Sequence, residues 1–175
     1  FSELEDRDNL LPGFSWKDCR ALVSLKLPKS VTGIHAEQFS GCKSLKSLSM
    51  PSLEKIAEDA FSGCQALETL PSLGSLEELG ERAFFGCASL KEVQLPKAIV
   101  FVPAYVFANC TKLSKITLGA ETTDIDEWAF FNCRALTSLT LPATTSEIKE
   151  RAFYGCTHLE LLVVEALTPP SLGDD

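Results

Sequence analysis

The residues best equipped for chemistry in this chain are seven cysteines, at positions 19, 42, 64, 87, 110, 133 and 156. Thiols can cross-link, bind metal or attack as nucleophiles, and spacing helps decide between these uses. The steps here are 23, 22, 23, 23, 23 and 23 residues. Disulfide frameworks of small secreted domains use even counts at irregular spacings, and an odd count at one period has neither property. Stacked strands about 4.8 Å apart lie within disulfide reach, but side chains of a ladder point alike instead of toward each other. A reactive thiolate needs exposure and a positive neighbourhood. Each cysteine instead follows an aromatic residue by three positions, which predicts buried, reduced and inert thiols.

Other catalytic candidates are sparse. His35 and His158 occupy different phases relative to the cysteines, so a repeating structure keeps them apart, and both are expected on exposed connectors or turns. Asp124, Asp126 and Glu127 crowd together without the glycine-containing loop that binds calcium, and read as a solvated acidic bend. The glycines before the cysteines stand singly and form no phosphate cradle. No catalytic, metal-binding or cofactor-binding residues are predicted.

Composition narrows the partners. The chain has 175 residues, 45% of them hydrophobic, enough for one continuous core across residues 1–175, and a formal net charge of -8. That charge and a pI near 4.8 oppose nucleic acid and anionic lipid as partners. No run of apolar residues is long enough for membrane insertion. Phe1 to Asn9 carry acids instead of the basic and apolar parts of a signal peptide; as the first residue is not Met, export stays open.

The period itself specifies the elements. Repeats in the low twenties build leucine-rich-repeat solenoids, in which each copy buries its apolar side against its neighbours. The aromatic position is Trp16, Phe39, Phe61, Phe84, Phe107, Phe130 and Phe153, and five residues earlier stands Leu11, Ile34, Ile56, Leu79, Val102, Ile125 or Ile148. In the last full copy Ile148, Ala152, Phe153, Cys156 and Leu159 fall at offsets 0, 4, 5, 8 and 11. This is a stripe at helical period, which predicts a short helix or 3₁₀ turn. Asp18, Gly41, Gly63, Gly86, Asn109, Asn132 and Gly155 precede the cysteines, all types that tolerate positive φ and stop helices. Alternating runs such as Leu136 to Leu141 follow as strands, and Pro28, Pro51, Pro96 and Pro142 close four of them.

The expected fold is therefore α/β: a right-handed solenoid of about seven repeats of 22–23 residues, with a parallel sheet on the concave face and short helical or 3₁₀ turns on the convex face. One copy departs from the pattern. Pro71 comes two residues early and the preceding copy is one residue short, which predicts a local distortion there.

With the unit written Ile-x-x-x-Ala-Phe-x-Gly-Cys-x-x-Leu-x-x-Leu-x-Leu, the chain resembles the BspA-like leucine-rich repeat family from about Leu11 to Leu172. Ala152-Phe153-Tyr154-Gly155-Cys156-Thr157-His158-Leu159 and its counterparts carry the likeness. The resemblance implies a surface or secreted, adhesin-like protein that binds host or envelope proteins and is not an enzyme. It names no ligand.

The register locates the face such binding would use. Lys46, Glu68 and Lys91 stand four residues after their cysteines; Glu92, Lys115 and Ser138 stand five after; Gln94, Thr117 and Thr140 stand seven after. All should point outward from the concave sheet, as a docking strip for a protein or extended peptide or simply as hydroxyl-rich exposed strand positions. In the final strand Leu161 and Val163 take the same outward places. Apolar residues beside an uncapped sheet end suggest a contact surface, either for an apolar partner or for self-association into a homo-oligomer. Glu54, Lys55, Glu58, Glu81, Arg82 and Lys149 belong to a charged convex side that reads as a solvated face.

Overall fold

A computed structural model describes residues 14–173; Leu11 and the Phe1 to Asn9 segment lie outside the described residues. Thirteen short strands follow one another, and every pairing among them is parallel. They fall into two columns. The first is the strand face, built from β1 (Ser24–Lys26), β3 (Ser47–Ser49), β6 (Glu92–Gln94), β8 (Lys115–Thr117), β10 (Ser138–Leu141) and β12 (Leu161–Val164). The second lies where the connector was expected: β2 (Gly33–Ile34), β4 (Lys55–Ile56), β5 (Glu78–Leu79), β7 (Phe101–Val102), β9 (Asp124–Ile125), β11 (Glu147–Ile148) and β13 (Ser171–Leu172). Register follows the repeat, so Ser24 pairs with Ser47 and Ile125 with Ile148.

The spine is as the spacing predicts. From Trp16 to Phe153 the seven rings stack with centroids 5.2 to 5.8 Å apart and planes within 16°. The five central phenylalanines are wholly buried. Burial of a ring contributes about 1.5 to 3 kcal/mol, against about 0 to 1 for an exposed ion pair such as Lys55 with Glu78, so the column of rings dominates the fold. The cysteines lie beside it, and the six from Cys42 to Cys156 donate their thiol hydrogens to the carbonyl of the ring residue one coil earlier, as Cys110 does to Phe84 at 3.3 Å and Cys133 to Phe107 at 3.2 Å. No buried side-chain N or O among the described residues lacks a hydrogen-bond partner.

Two expectations need correction. Among the described residues there is no helix and no 3₁₀ segment, so the convex side is built of turns and the fold is an all-β solenoid instead of α/β. The reason is backbone conformation two residues before each of the six phenylalanine rings, where Glu37, Asp59, Arg82, Tyr105, Trp128 and Arg151 have φ between 51° and 56°. A residue in the left-handed region costs about 1 to 2 kcal/mol and breaks a right-handed helix. What it gains is a bond to the next coil. Tyr105, Phe107 and Asn109 donate their N–H groups to the carbonyls of Glu127, Ala129 and Phe131 at 2.7 to 3.1 Å, and three such bonds at about 0.5 to 1.5 kcal/mol each offset the strain. The same triplet recurs coil after coil, always with N–H toward the C-terminal neighbour.

The repeat number is also lower than expected. Complete coils, each running from a strand-face segment to its ring, number about six; the Trp16 turn and the β12–β13 segment are partial flanks. The distortion predicted at Pro71 is present. Thr69 forms only an isolated bridge to Ser47, and the strand face is divided into β1–β3, β6–β8 and β10–β12 pairs.

Candidate functional site

Alternation within each strand decides what faces outward. Val93, Ile116 and Leu139 turn into the core, while Glu92, Gln94, Lys115, Thr117, Ser138 and Thr140 are exposed. Parallel pairing sets Glu92 beside Lys115 and Gln94 beside Thr117, and Ser138 beside Leu161 and Thr140 beside Val163. All eleven residues of the predicted strip thus lie along the strand face, with Lys46 exposed and Glu68 half-buried on its N-terminal side.

Charge on the strip is partly neutralised internally. Lys91 donates to Glu68 at 2.7 Å, and that hydrogen bond, with the attraction of the same ammonium, holds the Glu68 carboxyl below its ordinary value. Lys46, Glu92 and Lys115 enter no ion pair among the described residues. They are the charges the strip leaves available.

Two clefts open on this face. One, of about 430 Å³, lies between the Leu70–Gly74 segment and β6, with Glu92, Gln94 and Lys115 at its rim. The other, of about 440 Å³, lies between β8 and β10, with Thr117, Ser138 and Glu165 around it. Spacing located the strip but not the clefts, which arise from missing ladder bonds.

The C-terminal strand is exposed on both sides. Leu161 and Val163 are 55% and 39% accessible, and the inward pair Leu162 and Val164 are 44% and 41%. Their counterparts one coil earlier, Leu139 and Leu141, are buried.

Residues considered for chemistry are kept apart. His158 is exposed, its Nδ1 2.7 Å from the Arg134 carbonyl; His35 is half-buried, its N–H donating to Gln38 Oε1. Asp126 pairs with Lys149 at 2.5 Å, and Asp124 accepts from the Thr123 hydroxyl at 2.5 Å. No group of metal-ligating side chains occurs among the described residues. All seven thiols are free, and Cys42, Cys64, Cys87, Cys110 and Cys133 are buried. Burial pushes Cys64 up to about 12 and Cys87 and Cys110 well above the ordinary value, so they stay protonated and poor nucleophiles.

Sequence reasoning missed an aromatic patch on the turn side. Trp128 stacks on Tyr105 at 6.0 Å, meets Phe131 edge-on at 5.1 Å, and carries Arg151 over its ring at 5.0 Å. The clue was available in Tyr105 and Trp128, which stand one repeat apart.

Comparison with known proteins places this architecture. A family model described as BspA type leucine rich repeat region matches in six copies over residues 11–135 and 54–168. A leucine-rich repeat protein from Bacteroides ovatus is 28% identical with a TM-score of 0.82, over 90% of this chain and 41% of that one. A leucine rich cell surface protein from Faecalibacterium prausnitzii is 33% identical with a TM-score of 0.81, over 85% of this chain and 40% of its own. The T. pallidum leucine rich repeat protein is 29% identical with a TM-score of 0.80, over 87% and 73% respectively. This chain therefore spans about 40% of the length of the first two solved relatives. No curated protein matches it.

Proposed function

Since this chain belongs to the BspA-type leucine-rich repeat family, whose repeats generally serve as protein-interaction modules and typically as non-enzymatic scaffolds, we propose that it binds a protein or extended peptide through its concave strand face. The observation that carries this reading is the coincidence of the outward strip with both clefts: Glu92, Gln94 and Lys115 border one, Thr117 and Ser138 the other. Repeat solenoids present such extended surfaces because each coil adds the same outward positions. The partner is a protein instead of nucleic acid, in keeping with a net charge of -8. A cell-surface or secreted location and an adhesin-like role accord with the Faecalibacterium relative, itself described as a cell surface protein.

The test is capture from host or cell-envelope extracts by the immobilised chain, repeated with Lys91, Glu92 and Lys115 all replaced by alanine. Loss of the captured protein is the expected result; equal recovery by both forms removes the middle of the strip as the contact.

A second reading, self-assembly into a homo-oligomer, is favoured by the exposed Leu161, Leu162, Val163 and Val164. Four accessible aliphatic side chains on one strand are an association liability. Light scattering over a range of concentrations checks it: rising mass in the native chain and a monomer for Leu161→Ser are expected.

A further inference from the structure

Between the coil that ends at Phe84 and the coil that begins with β6, both ladders stop. In the second column the residue after each aliphatic donates to the coil before: Ala57 to Ile34 at 3.0 Å, Gly80 to Ile56 at 2.7 Å, Asp126 to Val102 at 2.9 Å. At the same repeat position stands Pro103, which has no N–H to give Leu79. On the strand face Leu27 donates to Ser49 at 3.0 Å and Leu95 to Thr117 at 2.9 Å. Their counterpart Ser72 makes no such bond to Gln94, and Pro71 beside it has lost its own donor. Pro103 thus removes a bond at this step, whereas the donor missing at Pro71 is one that would face β3, since Lys115 at the same parity points its N–H to the coil before.

The turn side stays closed there. Arg82, Phe84 and Gly86 donate to Ala104, Val106 and Ala108 at 2.8 to 3.1 Å, and the rings of Phe84 and Phe107 stack at 5.7 Å. The coils stay joined at the turns and at the entry to the strands, where Ser89 donates to Gln65 at 3.1 Å and Lys91 to Glu68 at 3.3 Å, and part beyond Lys91, which gives the cleft of about 430 Å³. Main-chain alternation determines what lines it. Leu95 points its N–H at β8, and so Gln94 points its N–H and C=O the other way, as Glu92 does. Among the described residues no backbone bond joins Leu70, Pro71 or Ser72 to these groups. β6 therefore faces the cleft as an open strand edge above an apolar floor of Leu70, Leu73, Val93 and Leu95.

We infer that this cleft is a strand-addition site, taking an extended peptide segment with an aliphatic residue between two polar ones. The inference rests on the protein-binding reading above and gives it a location and a ligand class. An unpaired edge of alternating donors and acceptors is complementary to another extended backbone. The side-chain pattern comes from the register, since Lys115-Ile116-Thr117 and Ser138-Leu139-Thr140 put their middle residue into the core and the outer two into solvent. At about 3.3 Å per residue, Glu92–Gln94 reads about three residues of ligand.

The test uses a capped Lys-Thr-Val-Thr-Val-Thr peptide at millimolar concentration and amide hydrogen exchange followed by NMR. The peptide should slow exchange at Glu92 and Gln94 about tenfold or more. A copy N-methylated at alternate amides keeps the side chains and should slow nothing. Gln94→Pro removes a donor that faces the cleft and leaves the bonds to β8 in place, so it should abolish the effect while the Phe84 and Phe107 ring signals stay unchanged. If that variant misfolds, Pro71→Gln with Leu73→Pro installs the residues found at those positions in the next coil, Gln94 and Pro96, and should close the cleft instead. Protection of Glu92 and Gln94 without peptide equal to that of Thr117, whose N–H faces β6, protection that grows with chain concentration alone, equal action of the N-methylated copy, or slowing only at Ser138 and Thr140 would each overturn the proposal. Extract capture that depends on Lys91, Glu92 and Lys115 would survive such a failure, so loss of the cleft proposal is distinguishable from loss of the broader reading.

Discussion

At the scale of single residues the column of rings sets the energetics. Phe107 is wholly buried between Phe84 and Phe130 at 5.7 and 5.8 Å, so Phe107→Ala should cost about 3 to 5 kcal/mol, read from the denaturant midpoint. The thiols give a second measurement. Cys19 and Cys156 are half-buried and the other five buried, so a thiol reagent at neutral pH should reach two sites in the folded chain, Cys156 slowly because burial holds it protonated, and the other five only on unfolding. Alkali should then destabilise the fold. Unfolded thiols ionise near the ordinary 9.0, whereas burial holds Cys64 protonated up to about 12 and Cys156 up to about 11. Stability from these groups is complete below 9.0 and declines as pH rises toward the folded values, because the unfolded chain then binds fewer protons. Denaturant melts at pH 8.0 and at about pH 10.5 should show the drop. The burial of the five central cysteines was legible from their place after an aromatic residue; the thiol-to-carbonyl bond from Cys110 to Phe84 was not, because it joins residues in different coils.

Elements were legible where their signal lies within one repeat. Alternation in runs such as Leu136 to Leu141 gave the strands, and Gly or Asn before cysteine gave the left-handed turn, found at φ 57° for Asn132 and 69° for Gly86. The helical turn failed for a physical reason. Glu37, Asp59, Arg82, Tyr105, Trp128 and Arg151 share a left-handed φ but no side-chain type, since bonding to the adjacent coil fixes that conformation and local preference does not. Ile148 and its counterparts likewise joined a second ladder that the stripe pattern had assigned to a helix. A clean test of the turn is Gly86→Ala. A Cβ there meets nothing nearer than 3.8 Å, so the expected loss of about 1 to 2 kcal/mol is conformational, while Gly86→Asn should lose much less because Asn109 and Asn132 already occupy that place. Gly80→Ala should be worse for a different reason, as its Cβ would fall 2.4 Å from the Glu58 backbone nitrogen. Chemical denaturation of the three variants separates these causes.

For the whole molecule, the period predicted the solenoid and the outward strip, and early Pro71 marked the irregular coil. That the strand-face and second ladders fail together needed Ser72 and Pro103 to be placed on the same inter-coil step, which no linear pattern announces. Stability in stacked repeats is close to a sum of nearest-neighbour terms, so the weakest joint should lie there. Native-state exchange should show earlier opening between Thr69 and Glu92 than between Glu92 and Lys115, which are paired. The turn column gives the assembly a direction as well. Peptide units that all aim hydrogen one way add their dipoles, and at Arg151, Phe153 and Gly155 the column shows N–H groups with no acceptor among the described residues. Two such termini of the same kind repel. A coil laid onto those N–H groups has to present carbonyls to them, a tail-to-head contact that never closes on a two-fold axis.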